Sequence, residues 1–342
     1  MRTSRLLGLA AAVVLAAGLS ACASSAPTST DVAGGNPASD GAFPVTIEHV
    51  YGETTIEAKP ERVATVAWAN HEVPLALGIV PVGMSKATWG DDDGDGILPW
   101  VEDALEELDA EAPVLFDETD GIDYEAVADT KPDVILASYS GLTQEDYDTL
   151  SKIAPVVAYP GVAWGTSVED MITMNSEALG LADEGDALIE DLHAQTDAAL
   201  EAHPALKDAS VLFSYIDPND LSQIGYYTAA DTRPGFLHSI GVPMPAIVEE
   251  NADSTEFYLT TSSEEADAFV DVDLFVTYGD ESIIPVLQAD PLLSKIPAIA
   301  EGRIAILGDA TPLAASANPS PLSIPWGIEE YFALLEAPLV SE

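Results

Sequence analysis

The chain has 342 residues, with 59 acidic against 11 basic residues, a formal charge of −48 and 47% hydrophobic content. That much apolar sequence supports a sizeable core and excludes wholesale disorder. So few cations exclude a nucleic-acid binder, which needs clustered Lys and Arg, and disfavour adhesion to anionic lipid headgroups.

In chain order, Arg2 and Arg5 precede the apolar run Leu6 to Leu19, and Leu19-Ser20-Ala21-Cys22 closes it on the only cysteine. This is a secretory signal over residues 1–21, too short to span a bilayer. The Leu-Ser-Ala-Cys ending resembles a bacterial lipobox, which implies cleavage before Cys22, lipidation of its thiol and a mature chain anchored to the membrane rather than inserted in it; the competing reading is ordinary secretion with a free cysteine. Residues 22–42, rich in Ser, Thr, Ala, Pro and Gly, read as a flexible tether. Val45 to Val50 alternates as a strand, and Tyr51 to Ile56 is its return from a turn near Gly52.

A pattern of strands and helices then appears twice. Arg62–Trp68 is a strand, a helix starts at His71, and Val80–Gly83 is a second short strand. Tyr124–Ala128 is a short helix leading through Lys131-Pro132 into the buried strand Asp133–Ser138. In the second half, Ser210–Tyr215 is a strand and Arg233–Ile240 a helix. Ser263–Ala268 is a short helix before the strand Val272–Thr277. Such alternation gives parallel α/β layers, so the expected fold is α/β, with two Rossmann-like lobes. Ser167–Ala202 carries helical periodicity, interrupted by Gly180 and Gly185, and reads as one or two helices forming a long connection. The expected division is residues 43–165, a link over 166–202, and 203–342.

Within the first lobe, Asp91-Asp92-Asp93-Gly94-Asp95-Gly96 followed by Glu102 fits the calcium-loop spacing D-x-D-x-D-G-x5-E. Asp91, Asp93, Asp95 and Glu102 would ligate a structural calcium ion. Trp100–Leu108 supplies the following helix, although no clear helix leads in and Pro99 is unusual at the ninth position. The competing reading is an acidic loop in a very acidic protein.

Several segments carry a family resemblance: Lys59-Pro60-Glu61-Arg62-Val63, Ala76-Leu77-Gly78-Ile79 with Pro81-Val82-Gly83, Glu125 before Lys131-Pro132-Asp133, and Glu264 before Asp273. Tyr139–Thr143 and the tail Pro321–Gly327 add to it. In that order the chain resembles the solute-binding lipoproteins of iron–siderophore ABC importers, which share a fold with vitamin B12 and haem binding proteins. The resemblance implies a class III periplasmic-binding-protein fold and a ferric siderophore held between the lobes, its Fe3+ carried by the ligand. It also implies a monomer outside the cell, delivering to an ABC permease dimer with its ATPase. One exposed Glu per lobe, Glu125 and Glu264, would dock on that permease.

Ligand sites in α/β sheets lie beyond the strands' C-terminal ends. On that rule the candidates are Trp68, His71, Lys86, Trp89, Tyr139 and Trp164 from the first lobe. Tyr215, Tyr226, Tyr227, Arg233, Tyr258, Tyr278 and Trp326 are their counterparts in the second. Arg233 stands out because cations are scarce and its fork suits a chelate oxygen. The competing readings are core packing for the aromatics and a surface ion pair for Arg233. No Walker, dinucleotide or G-x-S-x-G motif is present, so an enzyme, here a secreted hydrolase, is the weaker expectation. A free-metal receptor lacks a His cluster. Haem or cobalamin remains the nearer alternative, with Tyr139, Tyr226 and His71 as axial-ligand candidates.

Overall fold

The structure is a computed structural model and describes residues 43–252 and 254–341. Cys22 and the tether therefore lie outside the described residues. The chain begins as an antiparallel hairpin, β1 (Val45–His49) and β2 (Gly52–Ile56), with Val45 opposite Ile56 and His49 opposite Gly52. The turn falls on Val50–Tyr51, so Gly52, at φ +120°, opens the return strand.

The first lobe runs through β3 (Val63–Thr65), α1 (Glu72–Ala76), β4 (Gly83–Ser85), α2 (Pro99–Glu107) and β5 (Val114–Phe116). It continues through α3 (Tyr124–Asp129), β6 (Val134–Leu136), α4 (Gln144–Leu150) and β7 (Val156–Val157). Its sheet has the order β5-β4-β3-β6-β7 and is parallel throughout. Val134, Ile135 and Leu136 are all fully buried, as an apolar run covered on both faces requires. Strand order reverses beside β3, which makes the gap between β3 and β6 the switch point where a ligand crevice is expected.

Two helices follow, α5 (Val168–Ala178) and α6 (Ala182–Ala202). Ser167 caps the first by accepting from the Asp170 amide at 3.0 Å. Gly180, at φ +69°, ends it. The interruption seen in the sequence is thus a real break, and the connection is a helical pair rather than one rod. At Gly185 the helices meet so closely that a Cβ would overlap Ser176.

The second lobe has β8 (Val211–Tyr215), β9 (Gln223–Tyr227), α7 (Thr232–Ser239), α8 (Ala246–Glu249) and β10 (Tyr258–Ser262). A 3₁₀ segment, Ser263–Phe269, leads into β11 (Leu274–Gly279), then α9 (Ile283–Ala289), α10 (Pro297–Ala300) and β12 (Ile304–Gly308). The chain closes with α11 (Pro312–Ser316) and α12 (Ser323–Val340). The sheet order is β10-β9-β8-β11-β12. Only β8, β11 and β12 are mutually parallel. β9 runs antiparallel to β8 and β10 antiparallel to β9. The expectation of a wholly parallel second sheet is corrected here. The loop from β8 to β9 is too short for a crossover, so the two strands pair as a hairpin.

One hydrophobic cluster runs through both lobes. It joins Ala69, Val73 and Tyr139 of the first to Val211, Phe213 and Leu307 of the second, through Met171, Leu192 and Phe332. The lobes share a core by way of the helical pair and α12.

Candidate ligand-binding cleft

After β3 the backbone turns twice through left-handed conformations, at Ala67 and Ala69, both at φ 62°. Non-glycine residues hold such angles only when their surroundings over-determine them. Asn70 does so here. Fully buried, its amide donates to the carbonyls of Val66 at 2.9 Å and Tyr139 at 2.8 Å. Its oxygen accepts from the Tyr139 amide at 3.1 Å and from Ser138 Oγ at 3.2 Å. Glu118 adds a carboxylate that accepts from the Ala67 amide at 3.0 Å. Burial pushes its pKa up to about 7. The residue presented between the two strained alanines is Trp68.

The opposite wall is built on β9, α7 and β11. Asp231 caps α7 and grips Arg233 with both oxygens, at 2.8 Å to Nε and 2.7 Å to Nη2. Nη1 donates to the Tyr278 hydroxyl at 3.1 Å, and the guanidinium lies 4.0 Å over the Tyr227 ring. Burial alone would lower the Arg233 pKa; the contacts with Asp231 and Tyr278 outweigh it and hold the group further above its ordinary value. Arg233 thus belongs to a largely buried ion pair, not a surface one. Trp89 stands edge-on to Tyr278 at 5.7 Å.

Between these walls is a cavity of about 370 Å³. Trp68, Trp89 and Tyr139 line one side, and Tyr227, Arg233 and Tyr278 the other. Asp231, Ala314, Ala315 and Asn318 complete it. At its floor the Tyr139 hydroxyl lies 3.2 Å from Thr232 Oγ1. It also accepts from Asn318 Nδ2 at 3.1 Å, while Thr232 donates to Asn318 Oδ1 at 2.6 Å. This clasp ties the first lobe to the second. Size and lining suit a compact ligand met by aromatic faces and few polar groups.

The structure therefore brings Trp68, Trp89, Tyr139, Tyr227, Arg233 and Tyr278 together. The other expected contacts stand elsewhere. Tyr226 is buried against Phe269, because successive strand residues face opposite ways and Tyr227 takes the cleft side. Tyr258 is the cross-strand partner of Tyr227, its ring 5.1 Å away, and backs that residue. Trp326 packs on Trp100 at 5.2 Å, inside a separate cluster. His71 and Lys86 line a smaller cavity of about 20 Å³ behind Trp68. Burial lowers the His71 pKa to about 4. Trp164, 41% exposed, meets Tyr139 edge-on at 5.5 Å beside the cavity lining.

Two polar residues of the cavity lining, Asp231 and Asn318, and the supporting Glu118 escaped sequence reasoning. Asp231 was one carboxylate among 59, and only its place two residues before Arg233, at a helix start, marked it. Asn318 and Glu118 carried no local signal. Glu125 and Glu264 are both exposed in the first turns of α3 and the Ser263–Phe269 segment, the elements that lead into β6 and β11. In the acidic loop, carboxylate oxygens of Asp91, Asp93 and Asp95 lie within 4.8 Å of one another. Burial and then the neighbouring Asp95, Asp93 and Asp91 raise the pKa of Glu102.

The sequence model of the periplasmic binding protein family matches residues 63–311. The chain belongs to that family. PiaA of Streptococcus pneumoniae TIGR4, crystallised in complex with ferrichrome, is 48% identical over 86% of this chain and 98% of its own, with a TM-score of 0.82. A second PiaA structure, described as an iron uptake ABC transporter substrate-binding protein, gives 47% identity, 86% and 99% coverage and a TM-score of 0.79. The iron(3+)-hydroxamate-binding protein YxeB of Bacillus subtilis strain 168 is 22% identical over 261 residues, 75% of each chain. No helix among the described residues is long and apolar enough to cross a membrane.

Proposed function

We propose that this chain captures a ferric siderophore of the hydroxamate class in the inter-lobe cavity and delivers it to an ABC importer. The observation that carries the reading is the cavity itself, with two indoles and a phenol on one side and two phenols and a held guanidinium on the other. The likeness to PiaA with ferrichrome and to a hydroxamate-binding relative supports it. Haem is less well served. His71 is behind Trp68, Tyr226 is in the core, and the Tyr139 hydroxyl is engaged by Thr232 and Asn318. The test is tryptophan fluorescence titrated with ferrichrome, ferric citrate, haem and cobalamin. Saturable quenching by ferrichrome below micromolar concentration, absent with its iron-free form, supports the reading. Quenching by haem alone overturns it.

A division into residues 43–165, 166–202 and 203–342 is part of this proposal, supported by the two five-stranded sheets and the helical pair between them. Lipidation of Cys22, proposed from Leu-Ser-Ala-Cys, would hold a monomer at the outer face of the membrane, where it meets the permease through Glu125 and Glu264. Charge reversal at both glutamates should lower uptake at least tenfold in whole cells while ferrichrome affinity stays within about twofold. Equal losses in both readouts would place them outside docking. A structural calcium ion on Asp91, Asp93, Asp95 and Glu102 is supported by spacing and by the grouped carboxylates. Calcium should then raise the melting temperature relative to chelator, and Asp93→Asn should abolish the rise. Identical melts with and without calcium exclude it.

A further inference from the structure

We propose that Asp231 makes this cleft select chelates by charge: by neutralising Arg233 it leaves a cavity of no net charge that admits a neutral ferric chelate and rejects an anionic one. The inference rests on the ferric-siderophore reading above.

Among the described residues lining the cavity, Asp231 and Arg233 are the charged ones. Arg233 has five N–H groups. Its Nε and one Nη2 hydrogen go to Asp231, and one Nη1 hydrogen goes to Tyr278. Two N–H groups remain to meet a ligand oxygen, and the full unit charge does not, because the carboxylate is bound bidentately at its back. An arginine alone in an aromatic, partly desolvated wall would instead attract anions strongly. The chain's formal charge of −48 adds to the repulsion.

Ferric chelates differ in this property. Three hydroxamates cancel the charge of Fe3+, whereas three catecholates leave a trianion. The clamp orients a hydrogen-bond donor without supplying the cation that a trianion would need. Asp231 is a positioning and specificity residue.

The test compares ferrichrome, neutral, with ferric enterobactin, a trianion, by fluorescence quenching of the full-length mature protein. Asp231→Asn keeps a helix cap but frees the guanidinium charge. Asp231→Ser does the same with a hydroxyl and serves if the first variant does not fold. Either should move the enterobactin-to-ferrichrome affinity ratio toward enterobactin by tenfold or more at 50 mM salt. The shift should shrink at 500 mM, because free charge is screened there and a packing defect is not. Asp231→Asn combined with Arg233→Gln should return the ratio toward its starting value. A ratio unmoved within threefold in folded variants overturns the proposal. So does a shift that ignores salt. If the unaltered protein binds neither chelate, the ferric-siderophore reading falls, and this inference with it.

Discussion

At the scale of single residues, the cleft depends on side chains that never touch its contents. Trp68 is held by Asn70, whose amide reaches three carbonyls, of Val66, Trp68 and Tyr139, and whose oxygen serves the Tyr139 amide and Ser138. Replacing Asn70 by Asp would put a carboxylate against those carbonyls and remove the donor. The expected cost is about 2–4 kcal/mol in urea unfolding, with weaker ferrichrome binding. An unchanged midpoint would show that the strained turn does not need this residue. Such a role was only half legible. Asn70 follows the strand expected at Arg62–Trp68, where ligand-site residues are sought, but Ser138 and Tyr139, its long-range partners, lie almost 70 positions away along the chain. Tyr226 and Tyr227 illustrate another limit. Which of two adjacent tyrosines faces the ligand is set by strand phase, and Gly225 and the short loop before β9 obscure that phase in the sequence.

Among the elements, α1 carries two buried titratable neighbours with opposed behaviour. Glu72 is fully buried, accepts from Trp100 Nε1 at 2.8 Å and from the Leu322 amide at 3.0 Å, and also takes the Ser320 hydroxyl. Burial, stronger than these bonds, raises its pKa to about 7. Its contribution is present below its ordinary value near 4.5 and is lost as pH rises to about 7. His71, lowered to about 4 by burial, does the reverse: its contribution is lost as pH falls from 6.5 toward 4. Each slope is about 1.4 kcal/mol per pH unit, so between roughly pH 4.5 and 6.5 they offset. Relative to the unaltered protein, Glu72→Gln should therefore gain stability with rising pH across that window, and His71→Asn should lose it. Urea midpoints at pH 5 and 6.5 check this. Parallel curves for all three proteins would refute it. The elements themselves were largely readable, because apolar runs such as Val134–Leu136 and caps such as Ser167 are local signals. Antiparallel pairing of β8 with β9 was not, since strand direction depends on what the intervening loop can span.

For the whole molecule, the shared core and the Tyr139–Thr232–Asn318 clasp resist hinge motion. Solution scattering should show little change in radius of gyration on adding ferrichrome; a large contraction would mean that the clasp opens in the empty protein. The double α/β architecture was visible in the repeated order of elements, but the continuity of the core was not, because it is made by side chains from Val73 to Phe332.

That continuity has a consequence for unfolding. Two sheets with separate interiors would melt in two steps. A hydrophobic cluster threaded through both, beside those confined to one lobe, should couple them into one melt, and calorimetry should record a single peak. A chelate bound between the lobes then stabilises both halves together. At one hundred times its dissociation constant it adds about 2.7 kcal/mol to that one transition. The melting temperature of the entire chain thereby becomes a gauge of how full the cleft is, readable even for ligands that carry no colour and quench no light.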